Sequence, residues 1–411
     1  MGRNNGDCYD LKIQLSDSEV NTLKLDAIEL DLSDVSKELF FLLFILREET
    51  LDEMLVKQYT SDLDWKWFVK LVMHHRVYPL VYLKLKELNP TLIPANVRES
   101  LQQQYNNNTM KMLHLSREMN HICKAFTNNG IRTILLKGPV LAIQLYGNLA
   151  HRTSKDIDIL VHADDVEKTE DILVQLGYVS EDEHLLDNWK RKSHHLSFEH
   201  HEHMAQVEIH WRLNPHFSKS FSFDQLWKRR NDVILSNQTF HYLGNEDLLY
   251  YLSDHGARHG WFRLRWLMDI ERLLPTISSG NMNIHFNQYG GQQYVGQALI
   301  LLSQLFSTKI SRDLEVLTVS PKSNRLAVMA LYYIKRIVQL NPVPEKSVAW
   351  HYHRYIFSLM SGKQKLTYLL IKLSPSSRDA LLLPLPKSLH FLYFLLRPFL
   401  WFWRRMKQQS I

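Results

Sequence analysis

The chain has 411 residues, enough for one large or two to three smaller domains around a generous core. Its formal net charge of +6 is mild for this length, so it does not argue for duplex or sequence-specific nucleic-acid binding and suits a nucleotide or an anionic surface. Two cysteines, Cys8 and Cys123, build neither a disulfide framework nor a metal motif, which makes a reducing cytoplasm the expected compartment.

Residues 1–33 mix polar and acidic residues with irregularly spaced leucines, as a loose arm or a strand lying on the body would. The opening stretch has no apolar run and does not read as a signal peptide. Ser36 to Leu46 predicts a buried helix, apolar on all sides and too short to span a bilayer. Asp64 to Leu88 predicts two helices, with Trp65, Phe68, Val72 and Met73 at helical spacing and Val77-Tyr78-Pro79 opening the second. His74, His75 and Arg76 between them read as structural. A long helix is expected from Val97 to Asn128, closed by Asn129-Gly130.

The most informative stretch follows. Ile134-Leu135-Leu136 is a short apolar run that stops at Gly138-Pro139, as a buried strand entering a tight turn would. Val140 to Tyr146 can form a helix whose first N–H groups face that turn, an anion site to which Lys137 adds a positive charge. Asp156-Ile157-Asp158-Ile159-Leu160-Val161 reads as a strand with Asp156 and Asp158 on one face. Two adjacent carboxylates repel unless a hard cation such as Mg²⁺ or Mn²⁺ joins them, so the pair is a metal-site candidate. A two-metal phosphoryl-transfer site needs a further oxygen ligand, and Glu208 in Val207-Glu208-Ile209-His210-Trp211 supplies it on an alternating strand. His210 shares the face of Glu208 and is a candidate for substrate contact or for orienting a carboxylate.

Between these strands, Asp164 to Leu176 predicts a helix closing at Gly177, and Tyr178-Val179 a short strand. His195 to Phe198 and Ala205 to Trp211 predict a hairpin with Glu199-His200-His201-Glu202-His203 at its turn, which lacks zinc-ligand spacing and reads as solvated. Beyond Pro215 the pattern turns helical, through Asn245 to His255 and Leu264 to Leu274. His255, Arg258, His259, Arg263 and Arg265 cluster there, either to meet a triphosphate or acceptor across a cleft or, with Asp269, to pair inside a helical bundle. Residues 281–360 are helical in pattern. Leu381 to Trp403, followed by Arg404-Arg405, is aromatic beside basic, and fits an in-plane membrane contact or a helix packed on the body or another subunit.

Lys137-Gly138, Asp156-Ile157-Asp158 and Glu208 resemble the signature of the polymerase-β-like nucleotidyltransferase superfamily. With Arg152 ahead of the acidic pair, Glu208-Ile209-His210-Trp211, and Trp266 to Ile270, the finer pattern is similar to a bacterial family usually labelled "uncharacterised nucleotidyltransferase". The resemblance spans roughly Leu63 to Pro398. Two departures stand out: Pro139 replaces the usual Gly or Ser, and Glu208 the more usual Asp. The resemblance implies an α+β fold, with a small mixed sheet flanked by N- and C-terminal helical regions. Expected divisions are an arm (1–33), a helical region (34–130), the nucleotidyltransferase core (131–215), a second helical region (216–380) and the tail (381–411). It implies that Asp156, Asp158 and Glu208 hold Mg²⁺ or Mn²⁺, and that Lys137, Gly138 and Arg152 grip the phosphates of an NTP. An acceptor would then attack the α-phosphorus with release of pyrophosphate, the acceptor being a small molecule, a glycan precursor, or a protein or peptide. The competing expectation is a non-catalytic nucleotide-binding or scaffold protein on the same fold.

Overall fold

In a computed structural model, the described residues are 29–181, 189–214, 221–277, 286, 289–340, 345–373, 377–386 and 389–408. Most of the expected N-terminal arm lies outside them. The N-terminal helices are α1 (Lys37–Arg47), α2 (Glu53–Tyr59), α3 (Trp65–His74) and α4 (Tyr78–Leu85). Ser36 caps α1 by accepting from Leu39 N–H, and Asp64 caps α3 by accepting from Trp67 N–H. Then α5 (Ala95–Asn128) runs for 34 residues and stops where Gly130 takes a positive φ of 72°.

This long helix joins two cores. Its first part, through Val97 and Leu101, packs in the helical core with α1, α3 and α4. Its second part, from Met112 to Phe126, covers one face of the sheet.

The sheet contains β1 (Ile134–Leu135), β2 (Ile157–Leu160), β3 (Val179–Ser180), β4 (His195–His200), β5 (Ala205–His210), β6 (Asn231–Leu235) and β7 (Gln238–Tyr242). Its spatial order is β3-β4-β5-β2-β1-β7-β6. The pairs β2/β5 and β1/β7 are parallel, and the others antiparallel. Between strands lie α6 (Pro139–Tyr146), α7 (Val166–Gln175), α8 (Trp189–Lys192) and α9 (Phe223–Arg229). Alternation decides which core each residue joins: Ile157 and Ile159 face α5, whereas Leu160 and Leu136 reach the helical core on the opposite side. That second side is closed by α10 (Asn245–Arg258), α11 (Leu264–Leu273) and the helix Gln292–Phe306.

The α+β expectation and the main helices agree with this architecture. The helical reading beyond residue 215 needs correction, because β6 and β7 form a hairpin there and the expected core boundary at 215 cuts through the sheet. Its two-residue turn, Ser236-Asn237, has φ of 49° and 60°, both positive, as a tight hairpin turn requires. Without glycine at either position, that turn carries no strong signal in the sequence. The His-rich turn after β4 is also less solvated than expected. His203 Nδ1 lies 3.0 Å from Glu118 Oε2 on α5, and the His200 and His203 rings stack at 3.8 Å.

At the C-terminal end, the helix Leu392–Gln408 buries Tyr393 and Leu400 with Ala380, and Arg397 ion-pairs with Asp379. Phe391, Phe394, Leu395, Phe399, Phe402 and Trp403 are exposed. No helix among the described residues is long and apolar enough to cross a membrane.

Candidate active site

Strand register assembles the acidic group. Parallel pairing of β2 with β5 sets Asp158 opposite Glu208 and Leu160 opposite His210. His210 Nε2 lies 3.2 Å from Asp158 Oδ1 and 3.3 Å from Glu208 Oε2. Lys137 Nζ lies 2.9 Å from Asp158 Oδ1, brought there because β1 pairs with β2 and Leu136 N–H donates to Asp158 O at 3.0 Å. Immediately after Lys137, Gly138 turns the chain into α6 with φ 81° and ψ −145°, a region open essentially to glycine alone. Asp156 sits one residue before β2, its carbonyl held by Ser154 Oγ–H at 3.1 Å.

The charges are strongly coupled. Burial and then the neighbouring Asp158 push the Asp156 carboxyl up to about 6, with Lys137 pulling the other way. Burial would raise Asp158 too, but the Lys137 charge and the His210 hydrogen bond hold it well below the usual carboxylate range. Glu208 is lowered as well: burial pushes it up, but the hydrogen bond from His210, together with the charges of His210 and His195, more than offsets that. His210 is raised: burial opposes its charge, and its bonds to Asp158 and Glu208 win. Lys137 is likewise raised by Asp158 against burial, and stays an ammonium.

Asp158, Glu208 and His210 each offer a ligand atom within 4.8 Å of the others. Asp158 Oδ2 is buried with no hydrogen-bond partner among the described residues. A buried, ionised oxygen without a partner is costly, and a hard divalent cation would satisfy it. The residues present therefore fit a metal. His210 joins this ligand-spaced group, and Asp156 flanks it.

Arg152 sits elsewhere. Its buried guanidinium donates through Nε and Nη2 to both oxygens of Asp269, each at 2.9 Å, and Tyr146 O–H donates to the same carboxylate at 2.8 Å. That fork is committed to a bidentate pair, so the structure does not place Arg152 for the phosphate grip expected of it. His255 is half-buried and uncharged, held well below its usual value by desolvation and then by Lys137. Arg258 pairs with Asp254 one turn away, at 2.9 Å.

A second set of cations lies beside Asp156. The end of α3 docks on the start of α11: Arg263 donates to His74 O at 2.9 Å, and Leu264 N–H to His75 Nδ1 at 3.3 Å. At that junction Arg265 donates to Thr153 Oγ1 at 3.1 Å, and Thr153 Oγ1–H reaches Arg76 O at 3.5 Å. Burial and Arg152 push Arg265 down to about 9, and burial and Arg76 push Arg263 down to about 10. Arg76 is lowered by burial, with Asp156 as its leading attraction. These guanidinium groups stay charged at neutral pH and repel one another, leaving a surplus of positive charge beside the carboxylates. Arg76 could be found from the sequence only by knowing that residues 76 and 265 meet.

Three solved structures resemble parts of this fold. They are the lincosamide antibiotic adenylyltransferase LnuA bound to lincomycin (19% identity, 38% of this chain and 94% of that one, TM-score 0.28), the antibiotic-resistance factor ANT(2'')-Ia (11%, 43% and 89%, 0.32), and an antigenic nucleotidyltransferase-like protein from Paracoccidioides brasiliensis (15%, 48% and 94%, 0.32). No curated protein matches the chain. The sequence does match one family over residues 61–307, a span that runs from just before α3 through the paired carboxylates to the helices closing the site. The protein with this paired acidic group and its facing cations thus belongs to the family described as "uncharacterised nucleotidyltransferase".

Proposed function

We propose that this nucleotidyltransferase moves a nucleoside monophosphate from an NTP to an acceptor, with pyrophosphate as the second product, at Asp156, Asp158 and Glu208. The observation that carries the reading is the pairing of Asp158 with Glu208 across parallel strands, with Lys137 on one carboxylate oxygen and a buried oxygen unpartnered. Asp156, Asp158 and Glu208 would hold Mg²⁺ or Mn²⁺, which when bound supplies the positive charge that stabilises a transferring phosphoryl group. The acceptor oxygen bonds to the α-phosphorus, the α–β bridging P–O bond breaks, and pyrophosphate leaves with the electron pair. The acceptor's proton passes to a carboxylate of the site. Arg76, Arg263 and Arg265 would take the triphosphate, because an anion there relieves their mutual repulsion. The Gly138 turn lets the backbone approach the nucleotide at the start of α6.

The test is pyrophosphate release by the purified chain with Mg²⁺ or Mn²⁺, each common ribonucleotide, and a lysate fraction as acceptor. Release with one nucleotide, lost in D156N/D158N protein, supports the reading and names the donor. Nucleotide binding without release from any donor, across fractionated small-molecule and protein acceptors, would instead favour a non-catalytic binding protein. Intact-mass analysis of the protein fraction separates a protein or peptide acceptor from a small one.

We also propose that the helix Leu392–Gln408 rests on an anionic membrane surface. The support is the exposed Phe391 just before the helix and the exposed Phe394, Leu395, Phe399 and Phe402 within it, which fall within one side at helical periodicity. Cosedimentation with phosphatidylglycerol vesicles should fall in F399S/F402S; equal binding by that variant would overturn the proposal.

A further inference from the structure

We infer that His194, His195 and His210 form a binding site for a transition-metal dication of the zinc class, one strand away from the carboxylate pair. The inference stands on imidazole geometry and does not need the nucleotidyl-transfer reading.

Antiparallel pairing of β4 with β5 sets His195 opposite His210, while Ser197 lies opposite Glu208. The face that carries the acids therefore continues onto β4 as imidazoles. His194 precedes the strand, and its position is fixed from both sides. Trp211 N–H donates to His194 O at 3.1 Å, and Ser193 Oγ–H donates to His195 O at 2.7 Å.

The three rings each offer a nitrogen within 4.8 Å of the others. His195 Nδ1 and His194 Nε2 are 3.2 Å apart. Two nitrogens bound at about 2.0–2.1 Å to a tetrahedral zinc would be separated by about 3.3–3.4 Å, so this spacing is within reach of small ring movements. The ring centres of His194 and His195 lie 5.6 and 5.0 Å from that of His210, whose Nδ1 is buried without a hydrogen-bond partner among the described residues.

The donor set points to the ion. Three imidazoles without a carboxylate favour zinc, cobalt, nickel or copper over magnesium. Three protein ligands also leave a coordination position open, as in zinc sites that act on a bound water or substrate. His210 belongs to both this group and the Asp158–Glu208 group, so the two sites share a side chain.

The experiment strips the full-length protein with a chelator and titrates it with Zn²⁺ under a large excess of Mg²⁺, which competes for carboxylates and not for imidazoles. Co²⁺ serves in parallel as a spectroscopic probe through its visible d–d bands. The expected result is one Zn²⁺ per chain retained against Mg²⁺. H194A and H195A should each lower its affinity at least about tenfold, the loss already seen on removing a residue that merely orients a ligand. H203A, in the neighbouring His-rich turn, should leave it unchanged. H195Q, which keeps a polar side chain on the strand, should lose the Co²⁺ bands while retaining the wild-type melting transition. Displacement of Zn²⁺ by Mg²⁺, undiminished binding in H194A and H195A, or its loss in H203A would each overturn the site.

Discussion

The acids and the cations that meet beside Asp156 are built in opposite ways. Asp158 and Glu208 sit on adjacent parallel strands, so backbone register alone places them. Arg76, Arg263 and Arg265 come from the end of α3 and the start of α11, 187 residues apart between Arg76 and Arg263, and meet only because the two helical regions dock. Their charge balance differs too. Asp158 is compensated internally by Lys137 and His210, whereas the arginines lower one another and have Thr153 as a neutral neighbour. A precompensated acid can wait for a metal without unfolding the sheet. A surplus of cations, by contrast, is at its most favourable only when an anion is present.

The largest expected effect breaks the acid side. D158N should lower kcat at least about 1,000-fold, the scale on which loss of fixed transition-state charge is felt, in the pyrophosphate-release assay. It also leaves the Lys137 ammonium buried without its carboxylate, at a cost of about 3–5 kcal/mol in denaturant unfolding. D158N/K137M should recover much of that stability and none of the activity. Recovery of both would mean that Asp158 serves only as a counterion.

Next comes the Arg152–Asp269 pair, which separates structural charge from ligand-binding charge. Either R152M or D269L alone strands a buried charge and should cost about 3–5 kcal/mol, whereas the double variant should be far milder. Urea unfolding of the three proteins checks this, with nucleotide affinity in the double variant as a second readout. A large affinity loss in the refolded double variant would return Arg152 to the phosphate site.

This asymmetry also explains what could be read from the sequence. Lys137-Gly138, Asp156, Asp158 and Glu208 lie on short segments whose period and turn chemistry fix their faces, so the acidic cluster was legible. So was α5, from its apolar spacing and its Asn129-Gly130 end. Arg152 misled because proximity to Asp156 along the chain says nothing of a partner 117 residues away. His194 and His195 carry no signal of their own in the sequence, because their meaning depends on the β4/β5 register, which sets His195 against His210. Hairpin β6–β7 escaped because Ser236-Asn237 adopts positive φ without glycine.

A smaller effect is expected at the hinge between the strand and the anion site. G138A keeps ordinary contact with Asp156 O, 3.5 Å from the new Cβ, so sterics with neighbours are not the issue. The penalty is conformational, about 1–3 kcal/mol at φ 81°. Thermal melts should show it with or without nucleotide. An unchanged melt would mean that the turn can adopt another backbone path.

The mildest prediction tests the cation side most sharply. Arg76 has a φ of 56°, a left-handed conformation that costs a residue with a Cβ about 1 kcal/mol or more and glycine almost nothing. A long cationic side chain kept at such a position is best explained by what it binds. R76G should therefore raise stability by up to about 1 kcal/mol while raising the KM for the NTP about tenfold, the loss of one charge-assisted contact, with kcat little changed. The KM of the variant should also respond less to added salt than that of the parent, since one fewer charge attracts the triphosphate. A drop in stability with unchanged KM would make Arg76 part of the α3–α11 joint. The surplus charge would then rest on Arg263 and Arg265 alone, and R263Q would become the variant that carries the nucleotide effect.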